Sequence, residues 1–181
     1  MELKKIIQFF KAFLRSGATN LELQKQILEL REQRIRDPLT QVYNRRFLED
    51  VGEKEFARAK RYQRPLTLIF LDIDEFKKIN DRQGRLVGDQ ALETVAALLS
   101  NYSRKSDFIF RYGGDEFLVV MPEVGEEGAR QFLNRINREL SYTSLRISSG
   151  IATLKAESSL EELVEKADRR MYQEKGSKLK A

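Results

Sequence analysis

A chain of 181 residues with 41% hydrophobic and 34% charged side chains has room for one globular domain and an extension, and none of its apolar runs approaches the ~20 residues of a membrane-spanning helix. It has no cysteine and no histidine, which excludes disulfides, thiolate or imidazole metal ligands and Ser-His nucleophiles, so chemistry falls to carboxylates, Lys, Arg and backbone, and carboxylate oxygens favour hard cations such as magnesium. Residues 1–36, with eight Lys/Arg against four Asp/Glu, carry +4 of the net charge of +5, so the rest is nearly balanced and no nucleic-acid polymer is expected as a partner.

Residues 3–14 set Leu3, Ile6, Ile7, Phe10, Phe13 and Leu14 at helical spacing among Lys4, Lys5, Lys11 and Arg15. The pattern predicts a basic amphipathic helix, docked on its own domain or on a second copy, or lying at a membrane surface. Ser16-Gly17 is expected to break it. Thr19-x-x-Glu22 is a capping box that opens a second helix through about Arg36, where Leu21, Leu28 and Ile35 recur every seven residues beside Leu23, Ile27 and Leu30. Asp37-Pro38 ends this stalk. The expected division is therefore N-terminal helices over 1–36 and a globular domain over 37–181.

A helix is predicted over 45–62, then a strand over 66–71 that runs into Asp72-Ile73-Asp74. The period of two puts Asp72 and Asp74 on one face. A helix follows from about Val87 to Tyr102, then Arg104-x-x-Asp107. Residues 107–121 read as a hairpin turning at Gly113-Gly114, both glycines suiting the positive φ of a type I′ turn. Asp115 and Glu116 then open a strand otherwise made for a core, which breaks strand propensity and suggests a site. A helix over about 126–140, a strand over 145–152 and a last helix opened by Ser158-x-x-Glu161 complete the chain. Stripped of additions the order is βαββαβ, an α+β, ferredoxin-like palm: an antiparallel central sheet with helices on one face, preceded by the helical stalk. In that topology the first strand is central, so Asp72 can face Asp115 and Glu116.

Gly113-Gly114-Asp115-Glu116-Phe117 resembles, letter for letter, the signature of the GGDEF family of diguanylate cyclases. Asp37-x-Leu39-Thr40-x-x-Tyr43-Asn44-Arg45-Arg46 is similar to the family's opening motif, with Gln41 and Val42 where Gly and Leu are usual. Phe76-Lys77, Asn80-Asp81 and Gly88-Asp89 match at the family spacing, and Arg85 stands where His is usual. Ser148-x-Gly150-Ile151 and Ala167-Asp168-x-x-Met171-Tyr172-x-x-Lys175 match the closing strand and helix. Many members continue with Gly-Arg-Asn, and this chain has Gly176-Ser177-Lys178. The resemblance covers about residues 37–176.

The resemblance implies condensation of two GTP molecules into cyclic di-GMP with release of two pyrophosphates. Asp72, the carbonyl of Ile73, and Asp115 or Glu116 would hold Mg²⁺, with Mn²⁺ as an alternative ion, and Asp115 and Glu116 are the candidate general bases. Asn80 and Asp89 would read guanine with Arg85 beside them. Phe76, Lys77 and Lys175 would hold the β- and γ-phosphates. Each domain would carry one GTP, so a homodimer joined through the stalk would bring two catalytic domains face to face. Arg104 and Asp107 would form an inhibitory product site. The implied location is cytoplasmic, at the inner membrane face if a tether lies at or upstream of residues 1–15. Two other readings stay open: a cyclic di-GMP-binding module with weak or no turnover, and a scaffold acting through residues 1–36.

Overall fold

The structure, a computed structural model, describes residues 11, 14, 17, 20–22, 24, 25, 32, 35–155 and 159–178. The chain divides into two units, Met1–Ile35 and Arg36–Ala181. Every described residue of the first unit is helical. These include Gly17, where a break is expected; one glycine costs a helix only about 1 kcal/mol against alanine, too little to end it alone. Most of the basic amphipathic stretch, the capping Thr19 and the heptad residue Leu28 lie outside the described residues. Leu14 and Leu21, seven residues apart, are 62% and 70% exposed.

The second unit runs β1 (Tyr43–Asn44), α1 (Arg45–Tyr62), β2 (Leu66–Ile73), α2 (Phe76–Gln83), α3 (Arg85–Tyr102), β3 (Phe108–Gly113), β4 (Glu116–Pro122), α4 (Glu126–Leu140), β5 (Ile147–Thr153) and α5 (Leu160–Lys178). Its five strands lie in the order β1-β3-β4-β2-β5. Four are antiparallel, and β1 adds a two-residue parallel edge on β3. Asn44 both ends β1 and caps α1, its side chain accepting from the Phe47 amide.

Every residue of β2 is buried, which explains why its sequence is a continuous apolar run rather than an alternation. Ile69, Leu71 and Ile73 pack with Leu92, Val95 and Leu99 of α3 and Phe132 and Ile136 of α4. Leu68 and Phe70 pack on the other face with Leu48 and Phe56 of α1 and Leu163, Ala167 and Met171 of α5. The βαββαβ helices α3 and α4 thus share one face, as expected, while the additions α1 and α5 cover the second. The even-numbered face of β2 is therefore the one that carries Asp72 towards α5.

α5 crosses β5 at Gly150, where an added Cβ would lie 2.0 Å from the Ala167 carbonyl oxygen and 2.3 Å from the Met171 nitrogen. The close approach lets the helix satisfy the outer edge of that strand. Arg170 donates to the Ile151 carbonyl, Glu174 accepts from the Ser149 amide at 3.1 Å, and Lys178 donates to the Ile147 carbonyl at 2.6 Å. Four helical residues rise about 6 Å and two strand residues about 6.7 Å. Side chains at i, i+4 and i+8 therefore meet alternate strand residues, and a sheet edge open to pairing is closed.

Three local expectations move by one or two residues. The hairpin loop is Gly114-Asp115, since Gly113 still pairs with Glu116 after a bulge at Arg111/Gly113, and of the two glycines only Gly114 has positive φ, 38°. The last helix is capped by Ser159 and Glu162, each accepting the other's amide; Ser158 lies outside the described residues. β5 starts at Ile147, and Arg146 before it turns its guanidinium onto the carbonyls of Thr143 and Leu145 at 3.1 and 2.7 Å.

Candidate functional site

The two acidic clusters meet at one end of the sheet. Asp72 and Glu116 are directly paired across β2 and β4, and the Ile73 amide donates to the Asp115 carbonyl at 3.3 Å. Directly opposed residues of an antiparallel pair point to the same face, so two carboxylates and the turn acid Asp115 lie at neighbouring positions. Asp72 is 6% exposed. Burial pushes its carboxyl above the usual range, against the hydrogen bond from Lys175 and with the charges of Asp115 and Asp74. Glu116 is raised likewise, by burial first and then by Asp72, Asp115 and Asp168.

Lys175 answers this excess of negative charge. Its ammonium donates to Asp72 at 2.5 Å, and although burial alone would lower its pKa, the contact with Asp72 and the charges of Asp115 and Asp74 raise it. Asp74 accepts from the Ser148 hydroxyl at 2.6 Å and pairs with Lys178 at 3.4 Å. Among the described residues no group of three or more acidic side chains is gathered tightly enough to bind a metal unaided. The donor chemistry still fits a hard divalent cation, because the buried Asp72 and the half-buried Asp115 and Glu116 repel one another and Asp72 already draws an ammonium.

The residues proposed for guanine come together through one glycine. α2 and α3 are joined at Gly84, whose φ is +87°, and the Asn80 side chain then sits on Gly88, where an added Cβ would lie 2.0 Å from its Oδ1. Asp89 is the next residue. Arg85, the first residue of α3, is exposed. Phe76 and Lys77 open α2 after Glu75, a left-handed residue (φ 59°) with no side-chain cap on the helix, so this helix start keeps amides for an anion. The preceding Glu75, with Ile79 one turn into α2, borders a cavity of about 320 Å³ lined also by Asp74, Ser144, Arg146, Lys175 and Lys178, whereas Phe76 and Lys77 are not among its lining residues. A larger cavity, about 450 Å³, lies at the outer edge of β5 between Arg130, Asn134 and Arg170, away from the acids; chemistry and not size selects the candidate site.

Arg104 and Asp107 lie at the opposite end of β3, about 20 Å along the strand from the acids. Asp107 is 8% exposed, accepts the Arg104 amide on Oδ2 at 2.8 Å, and has its other carboxylate oxygen buried with no hydrogen-bond partner. Burial raises its pKa, opposed by the Arg104 amide and charge. The exposed Arg104 side chain borders a cavity of about 290 Å³ with Glu55, Arg58, Ser106 and Phe108. Arg58 has no local sequence signal, since α1 brings it there by packing on the same face of the sheet as Phe108.

At the turn itself, Arg111 ties Asp37 of the opening motif to the Gly114 carbonyl. Gln41, where the family usually has Gly, adopts φ 59°. It is held there by its amide on the Asp37 carbonyl (2.9 Å) and its side chain on the Pro38 carbonyl (2.8 Å).

Comparison with known proteins agrees with this arrangement. The family model described as diguanylate cyclase, GGDEF domain, matches residues 34–180. The chain is 36% identical over 146 residues to diguanylate cyclase DosC of Escherichia coli K12, covering 75% of this chain and 32% of DosC. It is 38% identical over 167 residues to the probable diguanylate cyclase DgcC of the same organism, covering 87% of this chain and 44% of DgcC. The chain thus spans a third to under half of the length of these relatives. The crystal structure of the coiled coil and GGDEF domain of DgcB from Caulobacter crescentus in complex with c-di-GMP superposes with a TM-score of 0.86 at 28% identity, covering 93% of this chain and 95% of that one. With the acids, the strand order and the motif spacing all in agreement, the chain belongs to the diguanylate cyclase GGDEF-domain family.

Proposed function

We propose that the chain is a diguanylate cyclase that condenses two GTP molecules into cyclic di-GMP and two pyrophosphates. The observation that carries this reading is the pairing of Asp72 with Glu116 beside Asp115, at a sheet end that also presents Lys175 and the start of α2. Asp89, with acceptor oxygens only, would take the N1–H and N2–H₂ donors of guanine, which adenine lacks, while Asn80 fixes the edge of the base. Lys175, Lys77 and the amides at Phe76 would hold the β- and γ-phosphates. Asp72, the Ile73 carbonyl and Glu116 or Asp115 would hold Mg²⁺ or Mn²⁺, and such an ion polarises an α-phosphate and lowers the pKa of an attacking 3′-hydroxyl. The carboxylate of Asp115 or Glu116 left outside that coordination would accept the proton.

One domain binds one GTP, so the attacking hydroxyl must come from a second copy facing the first about a twofold axis. The exposed Leu14 and Leu21 at heptad spacing support the first unit as the segment that joins the copies. Bound product would engage Arg104 and Asp107: Arg104 shares its cavity with Arg58, and the Asp107 oxygen without a hydrogen-bond partner, buried here, would have to be uncovered to meet guanine donors. The c-di-GMP carried by DgcB supports that ligand class for this chain. The test is incubation with GTP and Mg²⁺ followed by chromatography. Cyclic di-GMP from the wild type and none from Asp115→Ala supports the cyclase, whereas GTP or product binding without turnover moves the assignment to a binding module.

A further inference from the structure

We infer that the cavity at the outer edge of β5 is a binding site for a free α-amino acid whose side chain ends in an amide. The cavity holds about 450 Å³, within the range of small-molecule sites. It shares no lining residue with the cavity at the sheet end, so the inference stands apart from the reading of that end as a GTP site. The strand register sets its floor. The Asp74 amide donates to the Arg146 carbonyl and the Leu154 amide to the Leu66 carbonyl, so the even-numbered residues of β5 bond to β2 and the odd-numbered ones turn their amides and carbonyls outward. In chain order the outward row along the cavity is the Ser149 amide, the Ser149 carbonyl, the Ile151 amide and the Ile151 carbonyl. α5 takes the two ends of this row: Glu174 accepts from the Ser149 amide at 3.1 Å, and Arg170 donates to the Ile151 carbonyl. Among the described residues nothing pairs with the two inner groups, the Ser149 carbonyl and the Ile151 amide.

One acceptor followed by one donor is the gap that a single amino-acid residue fills beside a parallel strand, its nitrogen donating to the first and its carboxyl accepting from the second. The charges on either side match the two ends of a free amino acid. Glu174 stands next to the Ser149 carbonyl, where an ammonium would lie, and Arg170 next to the Ile151 amide, where a carboxylate would lie. Only one Arg170 nitrogen is spent on Ile151, which leaves donors in its fork for that carboxylate. Arg130 on the α4 wall supplies a second guanidinium. Its partner is Glu126 at 2.6 Å, in a pair 60% and 44% exposed, of the kind readily given up to a better-placed anion. With two Arg against two Glu the lining is neutral, which suits a zwitterion better than an anion or a cation. A longer peptide is shut out, because Arg170 and Glu174 occupy the row at both ends of the gap. Asn134 and Asn137 lie about one turn apart on the α4 wall, exposed and, among the described residues, without a side-chain partner. Their amides complement the donor and acceptor of a side-chain amide.

Calorimetry on the full chain, with L-glutamine as the probe, tests this site. The wild type is expected to bind it with a Kd on the order of 0.1 mM, in keeping with a ligand of this size. N-acetyl-L-glutamine, which lacks the ammonium, and L-glutamine methyl ester, which lacks the carboxylate, are each expected to bind roughly ten-fold more weakly, and L-alanine, without the amide, about five-fold. Arg130 bonds only to Glu126 among the described residues, so Arg130→Gln should weaken L-glutamine about five-fold at an unchanged melting temperature. Arg170→Lys keeps a donor for the Ile151 carbonyl but loses the fork, and a similar weakening is expected. Absence of saturable heat up to about 10 mM L-glutamine overturns the inference. So does an affinity that acetylation and esterification leave unchanged, because the ligand then does not use both charged ends. If Arg170→Lys loses binding together with thermal stability, as a residue that only closes the β5 edge would, Arg130→Gln decides, and wild-type affinity in that variant also overturns the assignment.

Discussion

Arg111 donates from one guanidinium nitrogen to both carboxylate oxygens of Asp37, at 3.0 and 3.2 Å, and from its other two to the Gly114 carbonyl at 3.0 and 2.8 Å. All three guanidinium nitrogens are thus spent on joining the first residues of the second unit to the turn that carries Asp115. With side-chain exposures of 19% and 16% the pair is largely shielded from solvent, so it constrains the turn more than an exposed ion pair would. Arg111→Ala is expected to cost about 2 to 3 kcal/mol, because it leaves the Asp37 charge and the Gly114 carbonyl unpaired. Combined with Asp37→Ala in a denaturant double-mutant cycle it should show ~1 kcal/mol or more of coupling. Strict additivity would mean that the geometry carries no energy.

The same aspartate gives a pH dependence with a definite sign. Burial raises the Asp37 carboxyl, but the Thr40 amide and hydroxyl and Arg111 together outweigh it and hold it below the usual range. A carboxyl lowered in the folded state contributes stability that is present above the ordinary aspartate range and lost as pH falls through its lower folded value. Thermal melts of Asp37→Asn should therefore be less stable than wild type at pH 7, with the gap closing in acid below that range. A gap that does not change with pH rules out the ionic part of this account.

Glu116 predicts the reverse. Burial and the neighbouring Asp72 and Asp115 raise it, so its charge costs stability above the ordinary glutamate range, and the cost is relieved as pH falls towards that range and the folded carboxyl takes its proton first. Glu116→Gln is expected to melt higher than wild type at pH 7 to 8, with the advantage shrinking as the buffer is acidified. Millimolar Mg²⁺ should then raise the wild-type midpoint more than that of the variant, since the charge that destabilises the bare fold is the one a cation uses. Equal shifts in both proteins would separate Glu116 from any metal.

At Gly88 the absence of a side chain makes room for the Asn80 amide. An added methyl group would meet the Asn80 Oδ1 at 2.0 Å, and the flexible amide must move aside. Gly88→Ala is therefore expected to raise the KM for GTP roughly ten-fold while changing the melting temperature little, because the displaced group is a side-chain end and not backbone. Steady-state kinetics at saturating Mg²⁺ would show it, and an unchanged KM would remove Asn80 from base recognition.

How far these features could be read beforehand follows from where their causes lie. α1 and α4 begin and end where the apolar period and flanking polar residues put them, because Leu48, Phe56, Phe132 and Ile136 each report a buried face locally. The meeting of Asp72 with Glu116 was legible too, since βαββαβ order leaves few ways to arrange the strands. The turn was not. The loop lies at Gly114-Asp115 beside a bulge, and Arg111, which holds the Gly114 carbonyl there, has as its other partner an aspartate 74 residues away in sequence. Ser158-x-x-Glu161 and Ser159-x-x-Glu162 are equivalent as capping boxes, and the choice between them is accompanied by the burial of Leu160 against α5's own layer. The pairing of Lys178 with Asp74 depends on how α5 crosses β5, a tertiary packing at Gly150 that the sequence does not mark locally.

That crossing carries the last prediction. The outer edge of β5 is closed by Arg170 and Glu174 on the Ile151 carbonyl and the Ser149 amide, side chains that no other strand replaces. In Arg170→Ala/Glu174→Ala the two backbone groups lose their partners, each worth about 1 kcal/mol, so a destabilisation of about 2 kcal/mol is expected. The freed edge can also recruit a strand from another copy. Sedimentation velocity over a hundred-fold concentration range should show self-association in the double variant beyond that of the wild type. Gly150→Ala should instead unfold the domain, since its methyl group would meet helix backbone on two sides. A double variant as stable and as weakly associating as the wild type would mean that solvent satisfies this edge as well as α5 does, and that the match of helix and strand periods has no energetic role.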